Sequence, residues 1–410
     1  MSGERRFVYL DNNATTPIYP EALEAMMPYL KEGYGNPSSA HTFGRAAKAK
    51  IGEAREIVAD ALGASPQEIY FTSGGTESDN LGIKGYAFAN RKKGGGHIIT
   101  SVIEHPAVLE TCKFLSKNGY ELTKLGVNAD ALVDPAAVRD AINEHTILVS
   151  IMHANNEVGS IQPIREIANA AKEKGVAVHT DAVQSFLKMP FTVGDLGVDM
   201  LSVSGHKVNA PKGVGALYVR KGVKITPLSH GGHHERSLRA GTENVTGIVA
   251  FAEAVKIGKA NMEKNIKHLT VLRDEMEKRV MAAIPFVRIN GKNAPRTPGT
   301  SNISFECVEG EALLINLDMR GIAISTGSAC SSGSLEPSHV LTSMGIPHEI
   351  VHGSLRFSFG HQNTMEDVDY AMEHLPKVIE TIRDISPLWD GKNGKVLSLA
   401  EVSAGTKMGK

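Results

Sequence analysis

Short β-branched, apolar runs alternate with amphipathic stretches that open on proline, and this alternation constrains the fold more than any other feature of the chain. Candidate strands fall at 68–71, 97–103, 147–152, 176–180, 200–204 and 215–220. Helical patterns cover 106–116, 135–143 and 163–174, opening at Pro106, Pro135 and Pro163, where the N–H that proline lacks would have no intrahelical partner anyway. Strands joined through crossover helices pair in parallel, and such a sheet is covered on both faces. The class is therefore α/β, with ligands expected beyond the carboxyl ends of the strands. A long helical pattern at 247–283 leads to a second group of elements. Strands near 301–305, 322–325 and 355–359, with an acidic helix at 309–319, read as a smaller α+β domain. The tail, 391–410, mixes Gly, Ser and Lys and is expected to be loosely held.

Charge and cysteine usage exclude several function classes. Lys and Arg number 44 against 45 Asp and Glu, a formal net charge of −1, which argues against a nucleic-acid binder. The three cysteines, Cys112, Cys307 and Cys330, form no CxxC pair, so neither a disulfide scaffold nor a structural zinc site is expected. The N-terminus lacks the apolar segment of a signal peptide, and no apolar run approaches the roughly 18–20 residues of a membrane span. A soluble, cytoplasmic protein is the expectation. The 41 glycines point to many tight turns and close backbone approaches.

Three motifs carry chemistry. In Phe71-Thr72-Ser73-Gly74-Gly75-Thr76-Glu77 a short strand runs into paired glycines and hydroxyls before a helix. Such a turn suits a phosphate, although alone it reads more readily as an ordinary strand-to-helix connection. It is neither a Walker A loop nor a GxGxxG fingerprint. In His179-Thr180-Asp181-Ala182-Val183-Gln184 an acid ends a strand, placed to hold a protonated ring nitrogen or merely to cap a helix. In Ser202-Val203-Ser204-Gly205-His206-Lys207 a lysine follows a strand inside a small-residue loop, as Schiff-base chemistry requires. Phosphate cradle, acid and lysine together imply pyridoxal 5′-phosphate.

With these motifs in place, the chain resembles, over nearly its whole length, the cysteine desulfurases of the NifS/IscS kind. The matching pieces are Tyr9-Leu10-Asp11-Asn12-Asn13-Ala14-Thr15-Thr16-Pro17, Gly35-Asn36-Pro37-Ser38-Ser39, Glu104-His105-Pro106-Ala107-Val108, Asn155-Asn156-Glu157, the Asp181 and Lys207 segments, and Arg239-Ala240-Gly241-Thr242. The wording of the first and last is closer to the NifS branch. The resemblance implies a fold-type I pyridoxal-phosphate transferase, with a large domain at 16–262 built on a mostly parallel seven-stranded sheet. Residues 1–15 and 263–410 would form the small domain.

The family pattern implies roles residue by residue. Lys207 would hold the cofactor and move the substrate Cα proton, Asp181 would face the ring nitrogen, Gln184 the ring hydroxyl, and His105 would stack on the ring. Gly75, Thr76, Ser204 and His206 would bind the phosphate, with Thr242 reaching in from the partner of a homodimer. Arg356, an arginine within an apolar strand, needs an anion; the family's substrate carboxylate, shared with Asn156, competes there with an internal ion pair.

Cys330 lies in Ser325-Thr326-Gly327-Ser328-Ala329-Cys330-Ser331-Ser332-Gly333, where small residues keep a thiol accessible. Cys112 and Cys307 fit a buried structural role better. The resemblance makes Cys330 the residue that takes sulfur from L-cysteine, leaving L-alanine, and passes it to an iron–sulfur scaffold protein or another acceptor. No structural metal is expected at the His-rich turn 230–236, and transient cluster ligation by Cys330 stays open. Two features depart from the family pattern: Ser331 stands where threonine is usual, and Phe359-Gly360-His361 lacks the common basic residue. The alternatives are a selenocysteine lyase, an aminotransferase, or a non-catalytic sulfur-relay protein. Nitrogenase supply, general iron–sulfur assembly and tRNA thiolation are equally open as destinations.

Overall fold

The computed structural model describes residues 6–92, 94–326, 337–391 and 393–397. Among them the largest sheet has seven strands, in the order Ile69–Thr72, Gly215–Val219, Met200–Ser204, Ala177–Asp181, Thr146–Ser150, His97–Ser101 and Glu121–Leu125. Gly215–Val219 runs antiparallel to both neighbours, and the other pairings are parallel. Thr146–Ser150 and Met200–Ser204 are buried at every position, which is why they read as continuous apolar runs. The strand Glu121–Leu125 escapes the sequence reading. It is an edge strand carrying Glu121 and Lys124, and charge on an edge blunts the pattern while protecting against unwanted pairing.

Helices Pro106–Lys117, Pro135–Ala141 and Ile164–Glu173 return the chain between parallel strands. The apolar faces of Pro135–Ala141 and Ile164–Glu173 join a core that includes Ile167, Val178, Leu201 and Phe251, whereas Val108, Cys112 and Leu115 of Pro106–Lys117 join a separate cluster with Ile98, Leu148 and Leu217. Phe251 is fully buried; truncating it to alanine would remove on the order of 3–5 kcal/mol.

A four-stranded antiparallel sheet, ordered Ser325–Thr326, Ser354–Ser358, Thr300–Phe305 and Val287–Asn290, supports a second core. Val8–Tyr9 pairs in parallel with Ile322–Ala323, so the N-terminal segment packs with the later part of the chain. The 39-residue helix Val245–Ala283 serves both cores, Ile248 to Val255 in the first and Leu269 to Val280 in the second. A smaller cluster joins Ile103, Met152 and Val158 to Val340, Leu341 and Met344. The short helix His339–Ser343, which the sequence puts in the small domain, thus packs against the large sheet's loops. Part of the tail is also ordered, since Trp389–Asp390 pairs with Lys395–Val396.

Candidate active site

Polar residues collect where the parallel strands end, and a cavity of about 270 Å³ opens there. Asp181 closes the strand Ala177–Asp181 and Ser204 closes Met200–Ser204. Asp181 accepts the Val183 N–H at 2.9 Å. Burial raises its carboxyl above the usual range, against the pull of that amide and of the Lys207 charge. Lys207 sits in the turn Gly205–Lys207 directly after the strand. Its Nζ donates to the backbone oxygens of Asn13 at 2.6 Å and Ala14 at 2.8 Å, so the Asp-Asn-Asn-Ala-Thr-Thr segment forms one wall.

The glycine turn needs its glycines. Gly74 has φ 151°, which other residues rarely adopt. A Cβ at Gly215 would lie 2.6 Å from the Val203 oxygen and 2.7 Å from Gly74 Cα. Gly75 opens a helical stretch that continues through a π-turn at Leu81–Gly85 to Ala89. Its first-turn residues Gly75 and Thr76, with Ser204 and His206, line one end of the cavity, the arrangement an anion favours.

His105 caps the helix Pro106–Lys117, its Nδ1 accepting the Ala107 N–H at 3.1 Å. Burial, with the charges of Lys207 and His339, pushes its pKa down to about 4. The ring is neutral near pH 7, and the Nδ1 contact leaves the proton on Nε2. Arg356 projects from the strand Ser354–Ser358. Nη2 pairs with Asp11 Oδ1 at 2.8 Å and Nη1 donates to the Asn156 oxygen at 3.0 Å. The internal ion pair weighed against substrate binding therefore exists, yet Nε is buried without a hydrogen-bond partner among the described residues, and the side chain lines the cavity.

The cavity gathers Gly75, Thr76, His105, Asn156, Asp181, Gln184, Ser204, His206, Lys207 and Arg356. Thr242 is exposed and does not line it. Cys330 and Ser331 lie outside the described residues. The described residues flanking that stretch reach the site: Ser325 pairs opposite Arg356, and Ser338 donates to buried Glu157 Oε2. Cys112 and Cys307 are both buried, and burial pushes the Cys112 thiol up to about 12, which removes its thiolate at neutral pH. In the His-rich turn, Glu235 pairs with Arg55 at 2.6 Å and accepts the Phe71 N–H.

Sequence reasoning gave no role to Asp79, Glu157 or Lys188. Asp79 faces the cavity, with Oδ1 buried and without a hydrogen-bond partner among the described residues. Burial and the Asp181 charge raise its pKa well above the carboxylate range. Its signal was the Glu-Ser-Asp-Asn run after the glycines, which reads as an ordinary polar first turn.

Comparison with known proteins agrees with this geometry. The family model Aminotransferase class-V matches residues 8–371. A cysteine desulfurase IscS of Methanosarcina thermophila is 54% identical over 388 residues, covering 95% of this chain and 96% of the relative. The chain belongs to the cysteine desulfurase family of class-V aminotransferases. Among solved structures, a NifS-like protein aligns with TM-score 0.85 and 41% identity, over 92% of this chain and 100% of that one. A structure of SspA in complex with cysteine aligns with TM-score 0.76 and 40% identity, over 86% and 98%. Family members use pyridoxal 5′-phosphate, and the residues here fit it: an acid at one strand end, a lysine just after the next strand, a glycine turn against which Gly215 leaves no room for a Cβ, and an arginine with an unpartnered N–H.

Proposed function

We propose that this chain is a cysteine desulfurase that takes sulfur from L-cysteine onto Cys330, releases L-alanine, and hands the sulfur to a protein acceptor. The observation that carries the reading is the convergence of Lys207, Asp181 and Arg356 on one cavity. Bound pyridoxal phosphate supplies an electron sink for carbanion chemistry at the substrate.

The chain's own residues do the rest. Gly75, Thr76, Ser204 and His206 would hold the phosphate, and Asp181 would keep a proton on the ring nitrogen. Lys207 would hold the cofactor through its aldehyde group, and its amine would move the Cα proton of the substrate. Arg356 and Asn156 would orient the substrate carboxylate, and neutral His105 would pack against the ring. The Cys330 thiolate then attacks the substrate sulfur. An S–S bond forms, the C–S bond breaks, and the electron pair left on carbon takes a proton. The thiol and L-cysteine thus become a persulfide and L-alanine with no external oxidant.

The domain division at 16 and 262, a homodimer to which Thr242 contributes across the interface, a cytoplasmic setting and an iron–sulfur scaffold as acceptor belong to the same proposal. None of the described helices is long and apolar enough to cross a membrane. Incubation with L-cysteine followed by product analysis tests the reading. Alanine with protein-bound persulfide is expected, whereas a keto acid would make the chain an aminotransferase.

A further inference from the structure

Lys188 is a second lysine beside the site, and the family roles leave it unused. It follows Leu187, whose φ of 59° is unusual for a residue with a side chain. Backbone held in that region marks a position the surrounding structure over-determines. Lys188 lines a second, smaller cavity of about 60 Å³ that shares Asn13 and Lys207 with the first. Its Nζ donates to Gln184 Oε1 at 2.8 Å and approaches Asn13 Oδ1 at 3.4 Å. Among the described residues these contacts are amide oxygens, with no carboxylate at ion-pair distance. Burial, with the nearby charges of Lys207 and Arg356, pushes the lysine down to about 7.

This geometry decides which way the Gln184 amide points. An ammonium has hydrogens to give and no lone pair to offer, so the oxygen of Gln184 must face Lys188. The amide nitrogen then faces the other way, where one hydrogen goes to the Asn13 oxygen at 2.9 Å. The second hydrogen remains for the cavity that Gln184 lines.

We propose that Lys188 is a positioning residue: by donating to the Gln184 oxygen it locks the amide so that its N–H faces the cavity, favouring a ligand with a ring oxygen there. The inference rests on the reading that the cavity takes pyridoxal phosphate, whose ring hydroxyl can ionise. Lys188 touches no reacting atom and acts through Gln184.

The test is the dissociation constant of pyridoxal phosphate from the full-length protein, followed by the cofactor's visible band. Binding by the parent protein checks the underlying reading by itself. Lys188→Met is expected to weaken binding about tenfold and Lys188→Arg to restore it to within about threefold. In a Gln184→Leu background Lys188→Met is expected to add less than about twofold, because the two act as one unit. The loss is also expected to vanish for a cofactor analogue without the ring hydroxyl. If Lys188→Met does not fold, Gln184→Glu decides: its carboxylate gains an ion pair with Lys188 and loses the N–H that the Asn13 oxygen accepts, and the protein is expected to bind the cofactor more weakly for want of a donor toward the cavity. Equal binding by the parent and Lys188→Met, a full additive loss in the Gln184→Leu background, or undiminished binding by Gln184→Glu would overturn the proposal.

Discussion

Arg356 and Asp11 form an ion pair at 2.8 Å across 345 positions of sequence, at the rim of the cavity. Asp11 accepts from Nη2 and the Asn156 oxygen from Nη1, and the Nε hydrogen is left over. The pair therefore orients the fork that a substrate carboxylate would meet. Replacing Arg356 by Lys keeps a charge but loses the planar fork. The expected outcome is a KM for cysteine raised about tenfold or more, with a smaller change in kcat, measured as alanine formation. An unchanged KM would remove Arg356 from substrate binding.

Lys207→Ala is expected to abolish the visible absorbance of covalently held cofactor and to lower turnover on the order of 10²- to 10⁴-fold. The backbone oxygens of Asn13 and Ala14 also lose their donor, so a drop in melting temperature accompanies the catalytic loss. Retained absorbance at the parental wavelength and intensity would contradict the assignment.

Gly215→Ala tests the cradle through packing. The added Cβ would press on the Val203 oxygen and Gly74 Cα, both backbone atoms that cannot rotate away. A stability loss of about 1–3 kcal/mol is expected, together with weaker cofactor binding through the displaced glycine turn. Calorimetry with a cofactor titration reads both, and loss of stability with unchanged binding would place the phosphate elsewhere.

The buried titratable groups set the pH response of the cofactor-free protein. His105 and His153 are pushed down to about 4 in the fold, chiefly by burial, from an unfolded value near 6.5. As pH falls from 6.5 to 4 the unfolded chain binds protons that the fold refuses, so stability is lost. Glu104 and Glu157 are pushed up by burial to about 8 and about 7. The unfolded chain releases their protons near 4.5 while the fold keeps them, so stability also declines as pH rises toward 8. Above about pH 6.5 Glu104, Glu157 and Asp79 lower stability as pH rises, and Lys188, which the fold deprotonates at about 7 while the unfolded chain keeps its proton, offsets part of that decline. The melting temperature is expected to fall between pH 6.5 and 8, and Glu104→Gln to flatten that slope; a rise through this window would contradict the assignment.

Much of this was legible because period and position carry it. The buried strands read as unbroken apolar runs, proline marked the helix starts, and strand-end polarity pointed to Asp181, Ser204 and Lys207. The edge strand Glu121–Leu125 was not legible, because its charges break the apolar pattern that burial imposes elsewhere. Lys188 and Asp79 were missed for another reason. Each lies near a recognised motif, yet its meaning comes from contacts with Asn13, Gln184 or Asp181 that local sequence does not encode. Asn13 was quoted within a motif without a role, and the structure makes it the shared acceptor for Lys188, Gln184 and Lys207.

Mass mapping of the protein after exposure to L-cysteine, with alanine counted in the same sample, tests the central claim most directly. The account predicts one added sulfur on the peptide carrying Cys330 for each alanine released, and neither from Cys330→Ala. Sulfur on Cys112 or Cys307 instead, or alanine released at the parental rate by Cys330→Ala, would contradict it.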